Sequence, residues 1–478
     1  YTLCSPVDGN EQNPWCFVPF DVPQYMYADF EWGLMADEEK QRIEDDLKKG
    51  VRDIQEQVFD AASFNKVFDQ KIYMLSSADE VMDAVHWQFM ARKPIDGAKA
   101  LVENPEALVK ADGVTVVQPN EAGDIELLYD LGEQNCGYYA FEMEAEAGLV
   151  VDIAGVEYIK EDGTVQHTDR YQNDMRYICK EGVNTFTSLK RRSQRHVFIT
   201  LRNQTKPVTI KKFQLIESTY PVEPIGSFAC SDERLDKIWE ISARTLKLCM
   251  EDTFTDCPLY EQTLWVGDAR NEAVFGFTAF GAEDIAKRCV RLAGESLEQY
   301  PMIQCQVPST WETLLPAWSF LWGISVWDYY WYTGDTAFLE ATWPWVMKNL
   351  EGAASFSDER GLFSGPFWNM FDWSGIDQGQ NTVLHCSMLA VGAVDAALKS
   401  AEVLGKDTQW LQEYRAKLVE GLNGLWDEEK KSYPDSIHND GSVSNKTSMH
   451  TSFLALNYDI IPEQYKADAI NNVLNPPD

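Results

Sequence analysis

The sequence predicts a multidomain β plus all-α chain, in which a β-sandwich is followed by a domain of paired helices. Three observations predict it. The 478 residues exceed the ~250–300 at which a single hydrophobic core stops growing, so two or three domains are expected. Between Val114 and Ile216 apolar residues recur at every second position in short runs broken by glycine-bearing turns, the pattern of a sandwich. After Ser231 the period lengthens to three and four residues and no strand pattern returns.

Taken in order, residues 1–110 form an N-terminal region of uncertain fold. It mixes Pro- and aromatic-rich pieces with a charged stretch near Asp37–Asp60, where Ile43, Leu47, Val51, Ile54 and Val58 mark one apolar helix face. Residues 111–225 hold the sandwich, with strands expected at 114–117, 125–129, 138–143, 149–153, 197–201 and 208–216. Asn120-Glu-Ala-Gly123 and Glu161-Asp-Gly163 read as turns between them. Pro221, Pro224 and Gly226 mark a linker. Residues 226–478 form the helical domain. Ser231 is the expected N-cap of its first helix, and Leu235, Ile238, Ile241, Thr245 and Leu248 supply the stripe. Further helices fit 267–280, 283–297, 317–332, 336–354, 382–404, 408–425 and 448–456, with another after Pro462, which makes four to four and a half helix pairs.

Composition narrows the function. Lys and Arg number 41 against 76 Asp and Glu, a formal charge of -35 that repels nucleic-acid phosphates and anionic lipid heads. Neither nucleic acid nor a membrane is expected as a partner, and no apolar run approaches the ~18 residues of a membrane span. Ten scattered cysteines without a C-x-x-C pair, and six histidines, argue against a metal site. Mostly free, buried thiols are expected, which places a cytoplasmic setting ahead of a periplasmic or secreted one. No phosphate-binding glycine loop or nucleophile elbow is present.

Chemistry concentrates in the loop after the first helix. Asp256, Tyr260, Glu261, Trp265 and Asp268 fall within thirteen residues. Glycoside cleavage needs one carboxylic acid to protonate the leaving oxygen and a second carboxylate on the anomeric side. A glutamic acid crowded by rings and other carboxylates keeps its proton near neutral pH, and Glu261 between Tyr260 and Trp265 suits that role. Asp256 and Asp268 then fix sugar hydroxyls, or else merely cap helices. Nine of sixteen tryptophans lie between Trp311 and Trp373, and indole faces stack on the C–H faces of sugars. Trp318, Trp322 and Trp331 read as one core-facing helical stripe. Trp311, Glu312, Trp368, Asp372 and Trp373 sit in loop-like sequence and read as pocket residues, with Asp377 a further hydroxyl ligand. His385 reads as a core residue, and His450, opening a helix after a polar run, as a binding residue.

These residues resemble a known family. Asp256-Cys-Pro-x-x-Glu261-x-x-x-Trp265-x-Gly267-Asp268, after a Thr245-x-x-x-Cys249 helix, is similar to the signature of bacterial α-L-rhamnosidases, glycoside hydrolase family 78. The likeness continues through Trp327-Asp-Tyr-Tyr-Trp-Tyr-Thr-Gly-Asp335 and Phe371-Asp372-Trp373. Upstream, Asp130-Leu-Gly132, Gly137-Tyr-Tyr139, Gly148, Glu157-Tyr158 and Arg191-Arg192 resemble the β-sandwich that precedes the catalytic domain in that family. The resemblance implies an (α/α) toroid of six hairpins that hydrolyses terminal α-L-rhamnose with inversion and no cofactor. It puts Glu261 on the general acid, Asp256 and Asp268 on the rhamnose-binding acids, and the aromatic loops on the pocket for the sugar's methyl group. Rhamnose-containing oligosaccharides or glycosides are the implied partners; the sequence fixes no oligomeric state.

The family's base is a Glu in a late hairpin, and no segment here resembles it. The expectation is therefore a toroid that this chain only partly covers, incomplete at the C-terminus, with the general base outside it. A non-catalytic carbohydrate-binding protein, or a toroid glycosidase for another sugar, is the alternative.

Overall fold

A computed structural model describes residues 3–5, 16–18 and 98–475, apart from 111, 122, 162–164, 166–172 and 310–313. The helix expected near Asp37–Asp60 lies outside the described residues, as does the turn at Gly163. Compactness divides the chain into Tyr1–Thr219 with Cys257–Glu261, and Tyr220–Asp256 with Gln262–Asp478.

In the first unit β1 (Leu3–Ser5) pairs antiparallel with β2 (Cys16–Val18). Two one-turn helices follow, α1 (Ala98–Leu101) and α2 (Ala107–Lys110), and between them lies β3 (Val102–Glu103). An eight-stranded antiparallel sheet takes in β3, β4 (Thr115–Val117), β5 (Ile125–Ala145), β6 (Val150–Val156), β7 (Asp174–Ile178), β8 (Gly182–Thr187), β9 (Arg192–Arg202) and β10 (Val208–Glu217). Its order is β3-β4-β10-β5-β9-β6-β7, with β8 beside β5.

The strands expected at 125–129 and 138–143 are one 21-residue strand. A bulge between Asp130 and Asn135 bends it without ending it. Its first half pairs with β9 and its second half with β10 and β8. The bend folds the sheet onto itself as a sandwich: Phe141 of β5 meets Tyr177 of β7, three strands away in the order, edge to face at 5.0 Å. Alternate residues Tyr139, Phe141 and Met143, with Val151, Ile153, Ile199 and Leu201, fill the interior. On the other face of β6, Asp152 holds Arg176 at 2.7 Å and the fully buried Arg202 at 2.6 Å, while Asp124 completes Arg202 at 3.2 Å.

The second unit is helical. Its helices are α3 (Glu233–Leu248), α4 (Val266–Phe280), α5 (Glu283–Glu295), α6 (Pro316–Thr333), α7 (Thr336–Ala354), α8 (Leu384–Leu404), α9 (Gln409–Asn423), α10 (Met449–Asn457) and α11 (Lys466–Leu474). A two-residue ladder joins β11 (Thr382–Val383) to β12 (Ser436–Ile437). The even helices touch in succession, α4 on α6, α6 on α8 and α8 on α10, and the odd ones pack against them. Sequence explains the layering. The α8 helix is buried on all sides from Leu384 to Ala397, apart from Asp395. By contrast α5 buries only the stripe Ile285, Ala286, Cys289, Val290, Ala293 and Gly294, and sets Glu283 and Asp284 in its first turn, where the dipole favours them. Glycines in the left-handed conformation stop α4 and α8, at Gly281 and Gly405.

Two expectations need correcting. The N-cap of α3 is Asp232, not Ser231, because the Asp232 carboxylate reaches the Arg234 N–H at 3.1 Å. Trp331 is not core but 71% exposed. It follows the buried Trp322 by nine residues, two and a half turns, which carries it to the opposite face of α6.

Candidate functional site

The even helices begin at one end of the helical unit, and contacts between their first turns establish this. Trp318 in α6 donates its indole N–H to the Asp268 carboxylate in α4 at 2.8 Å. His385 in α8 and His450 in α10 have ring centroids 6.2 Å apart. Helix N-termini leave unsatisfied N–H groups and a positive dipole end, a favourable setting for carboxylates.

The segment before α4 sets the first part of the site. Asp256 closes its loop on Thr263 twice: the Asp256 N–H donates to the Thr263 carbonyl and the Thr263 N–H to the Asp256 carboxylate, each at 3.1 Å. Trp265 stands at the N-cap of α4 without a side-chain cap bond. Asp268, in the first turn of α4, accepts from Trp318. Gly267 makes the approach possible, since a Cβ there would lie 2.6 Å from the Trp318 ring. Glu272 follows Asp268 by one turn on the same helix face. Burial, and next the charges of Asp268 and Asp256, push its carboxyl up to about 9.

An aromatic chain leads outward. Trp265, 9% exposed, meets Trp368 edge to face at 6.3 Å, and Trp368 meets the 84% exposed Trp373 at 6.2 Å. On the α8–α10 side, Phe371 lies between two histidines, stacked on His385 at 5.0 Å and edge-on to His450 at 5.7 Å. The His450 Nε2 lies 3.3 Å from the Asp372 carboxylate. His385 is fully buried, with Nε2 3.1 Å from the Ser448 hydroxyl, and its Nδ1 has no hydrogen-bond partner among the described residues. Burial, then the neighbouring His450, lower its pKa to about 3. Asp377 is fully engaged: His438 Nε2 lies 2.7 Å from its carboxylate and the Ser444 hydroxyl donates at 2.6 Å. Burial works to raise Asp377, and the bonds from Ser444 and His438 outweigh it, which leaves the carboxyl below its ordinary range.

The structure thus brings Asp268, Trp265, Trp368 and Trp373 into one contact chain with Trp318 and Met370, and joins Asp372 to His450 beside it. Asp256 lies close enough to act on Glu272 together with Asp268. Trp311 and Glu312 lie outside the described residues. Tyr260 and Glu261 belong to Cys257–Glu261, the segment that groups with the first unit, and what is described of them is local. Glu261 and the next residue, Gln262, both take left-handed backbone, with φ of 42° and 54°. Successive non-glycine residues in that region store strain of order 1–3 kcal/mol each, a common feature of functional turns. Sequence reasoning missed Trp318, Glu272 and the Phe371–His385 stack. The four-residue step from Asp268 to Glu272 was a readable signal. The Trp318 bond depends on two helices meeting and was not. Among the described residues no group of three or more His, Cys, Asp or Glu side chains is arranged to hold a metal ion, and no helix is long and apolar enough to cross a membrane.

Residues 223–475 match the bacterial α-L-rhamnosidase six-hairpin glycosidase domain, over half of the chain. The chain belongs to the bacterial α-L-rhamnosidases, glycoside hydrolase family 78. Residues 120–216 match the concanavalin-like domain of the same family. An α-L-rhamnosidase of Formosa agariphila is 24% identical over 395 residues, 79% of this chain and 40% of that protein. The crystal structure of a family 78 rhamnosidase from Bacillus sp. GL1 is similar with a TM-score of 0.73 and 40% identity, over 76% of this chain and 38% of that one. A Klebsiella oxytoca rhamnosidase, solved with rhamnose bound, shares the fold with a TM-score of 0.64 at 19% identity, over 74% of this chain and 72% of that one. The chain therefore spans about two fifths of the Formosa and Bacillus family members.

Proposed function

We propose that this chain binds terminal α-L-rhamnose at the N-terminal end of its even helices and serves an α-L-rhamnosidase that releases the sugar with inversion. The observation that carries the reading is the Asp268–Trp318 bond beside the Trp265–Trp368–Trp373 chain. It sets a carboxylate against an aromatic wall, the pairing a deoxy-sugar with one methyl face and three hydroxyls requires. Asp256 and Asp268 take the hydroxyls, with Asp372, held by His450, as a further acceptor. Trp373 and Trp368 cover the apolar face. Glu261 is the general acid.

An inverting enzyme also needs a carboxylate across the sugar to activate water, ~6.5–9.5 Å from the acid. The reading assigns that base to none of the carboxylates described at this end. Asp377 is bonded to His438 and Ser444, and Asp256, Asp268 and Asp372 are assigned to the sugar. The base is proposed to lie outside this chain.

The test is hydrolysis of methyl and p-nitrophenyl α-L-rhamnosides, with the anomer released followed by proton NMR. Glu261→Gln should cost about 10²–10⁴-fold on the methyl glycoside, whose leaving group needs the proton, and less on the p-nitrophenyl one. β-L-Rhamnose as first product supports inversion; the α anomer overturns it. Rhamnose binding without turnover would favour a carbohydrate-binding role for the isolated chain.

A further inference from the structure

Glu272 is a half-buried acid that the proposed reaction leaves unused. It sits in the second turn of α4, four residues after Asp268, so the two side chains leave the same helix face. One of its oxygens, Oε2, is out of contact with solvent and has no hydrogen-bond partner among the described residues. An ionised carboxylate with an oxygen in that state would be costly, whereas a protonated one avoids placing a third charge beside two others. The groups that act on it are Asp268 on its own helix and Asp256 on the preceding loop, and its charge would in turn act on the buried thiol of Cys289 on α5. None of these three supplies a compensating positive charge.

We propose that Glu272 is the positioning residue of the rhamnose-binding acids, holding a proton at neutral pH so that Asp256 and Asp268 can remain carboxylates and accept the sugar's hydroxyls. The inference rests on the sugar-binding reading above. The physical logic is that of a crowded carboxylate group sharing too little solvation: one member takes the proton, and it is the member with a solvent-shielded oxygen that no donor reaches. Asp268 has the Trp318 N–H and Asp256 the Thr263 N–H, and donors of this kind favour the charged form. Glu272 Oε2 has neither. Burial and its two acidic neighbours raise its carboxyl to about 9, in the same direction.

The experiment is infrared difference spectroscopy of the whole chain between pH 6 and 10, paired with L-rhamnose titrations over the same range. In the wild type the carbonyl stretch of a protonated carboxylic acid should be present at pH 7 and disappear as pH rises through about 9. Glu272→Gln should remove that band. Asp268→Asn should move its midpoint down by about one pH unit or more, since one of the two repelling charges is gone. Wild-type affinity for rhamnose should fall several-fold across the same alkaline step. Glu272→Gln, an uncharged mimic of the protonated acid, should bind as the wild type does at pH 7 and lose the alkaline step. Glu272→Ala, which leaves a void, should bind more weakly at every pH.

No protonated-acid band at pH 7, or a band that survives Glu272→Gln, overturns the inference. So does an alkaline loss of affinity that persists in Glu272→Gln. A band that behaves as described in a protein that binds no rhamnose at any pH upholds the proton on Glu272 and overturns the sugar-binding reading instead.

Discussion

Two sides of the same helical end treat buried ionisable groups in opposite ways. On the α4–α6 side an acid, Glu272, is pushed up to about 9; on the α8–α10 side a base, His385, is pushed down to about 3. The cause is one: burial disfavours whichever form carries charge, so both groups are neutral at pH 7. The partners differ. Near Glu272, Asp268 and Asp256 each accept from an N–H donor. Near His385 there are an aromatic ring, the Ser448 hydroxyl and the buried Asp435, whose Oδ1 lies 4.0 Å from Nε2 and lacks a hydrogen-bond partner among the described residues. The comparison teaches that the first side is arranged to present charge and the second to hold an aromatic surface steady. The two sides should therefore fail at opposite ends of the pH scale.

The largest effect should come from breaking the α4 side outright. Gly267→Ala places a methyl against the Trp318 ring, and overpacking of this kind costs about 1–3 kcal/mol. The displaced indole also leaves Asp268 without its donor, which adds about 1–3 kcal/mol where the carboxylate stays buried. Denaturant unfolding should show the loss, and near-ultraviolet dichroism should report the moved tryptophan.

The opposed pH limbs come next. The folded-state value of Glu272 is raised above its ordinary 4.5, so its contribution is fully present below that value and is lost as pH rises through about 9. Glu272→Gln should therefore gain stability relative to the wild type from pH 5 to 9, by at most about 1.4 kcal/mol per pH unit. His385 is the mirror case. Its folded-state value is depressed below 6.5, so stability is present above 6.5 and lost as pH falls toward 3. His385→Gln should flatten that acid limb under the same ceiling, measured by unfolding midpoints at pH 3–7. Equal slopes in variant and wild type would erase the contrast between the two sides.

Smaller effects sharpen it. His450→Gln removes the 3.3 Å contact to a half-exposed Asp372, and its stability cost should stay within about 1 kcal/mol, while rhamnose affinity falls if Asp372 serves the sugar. Trp331→Ala, on the outward face of α6, should change stability by no more than about 0.5 kcal/mol.

Much of this molecule was legible before its structure. Helices α4 to α9 begin and end within two residues of where their apolar spacing and flanking glycines put them, because periodicity and caps are local signals. The carboxylate loop was legible for the same reason: its acids and rings are neighbours in sequence. Of the eight cysteines whose side chains are described six are buried, as composition implied. What escaped depended on distant pairing. The strands Asp174–Ile178 and Gly182–Thr187 were missed because they are only partly buried and carry Asn, Thr and Arg where alternation should show. The union of two strands into β5 depends on a bulge that β9 tolerates. Trp318 was assigned to the core because spacing alone cannot say that α4 lies opposite with a carboxylate. Trp331 was an error of phase, since nine residues reverse a helix face.

The central claim is that Asp268, held by Trp318, takes α-L-rhamnose against the tryptophan wall. A titration of L-rhamnose followed by intrinsic tryptophan fluorescence, with Asp268→Asn alongside, tests it most directly. The account predicts a saturable change in the wild type and affinity at least about 10-fold weaker in Asp268→Asn, the loss of one charged hydrogen bond. No saturable change in the wild type, or equal affinity in the two proteins, would contradict it.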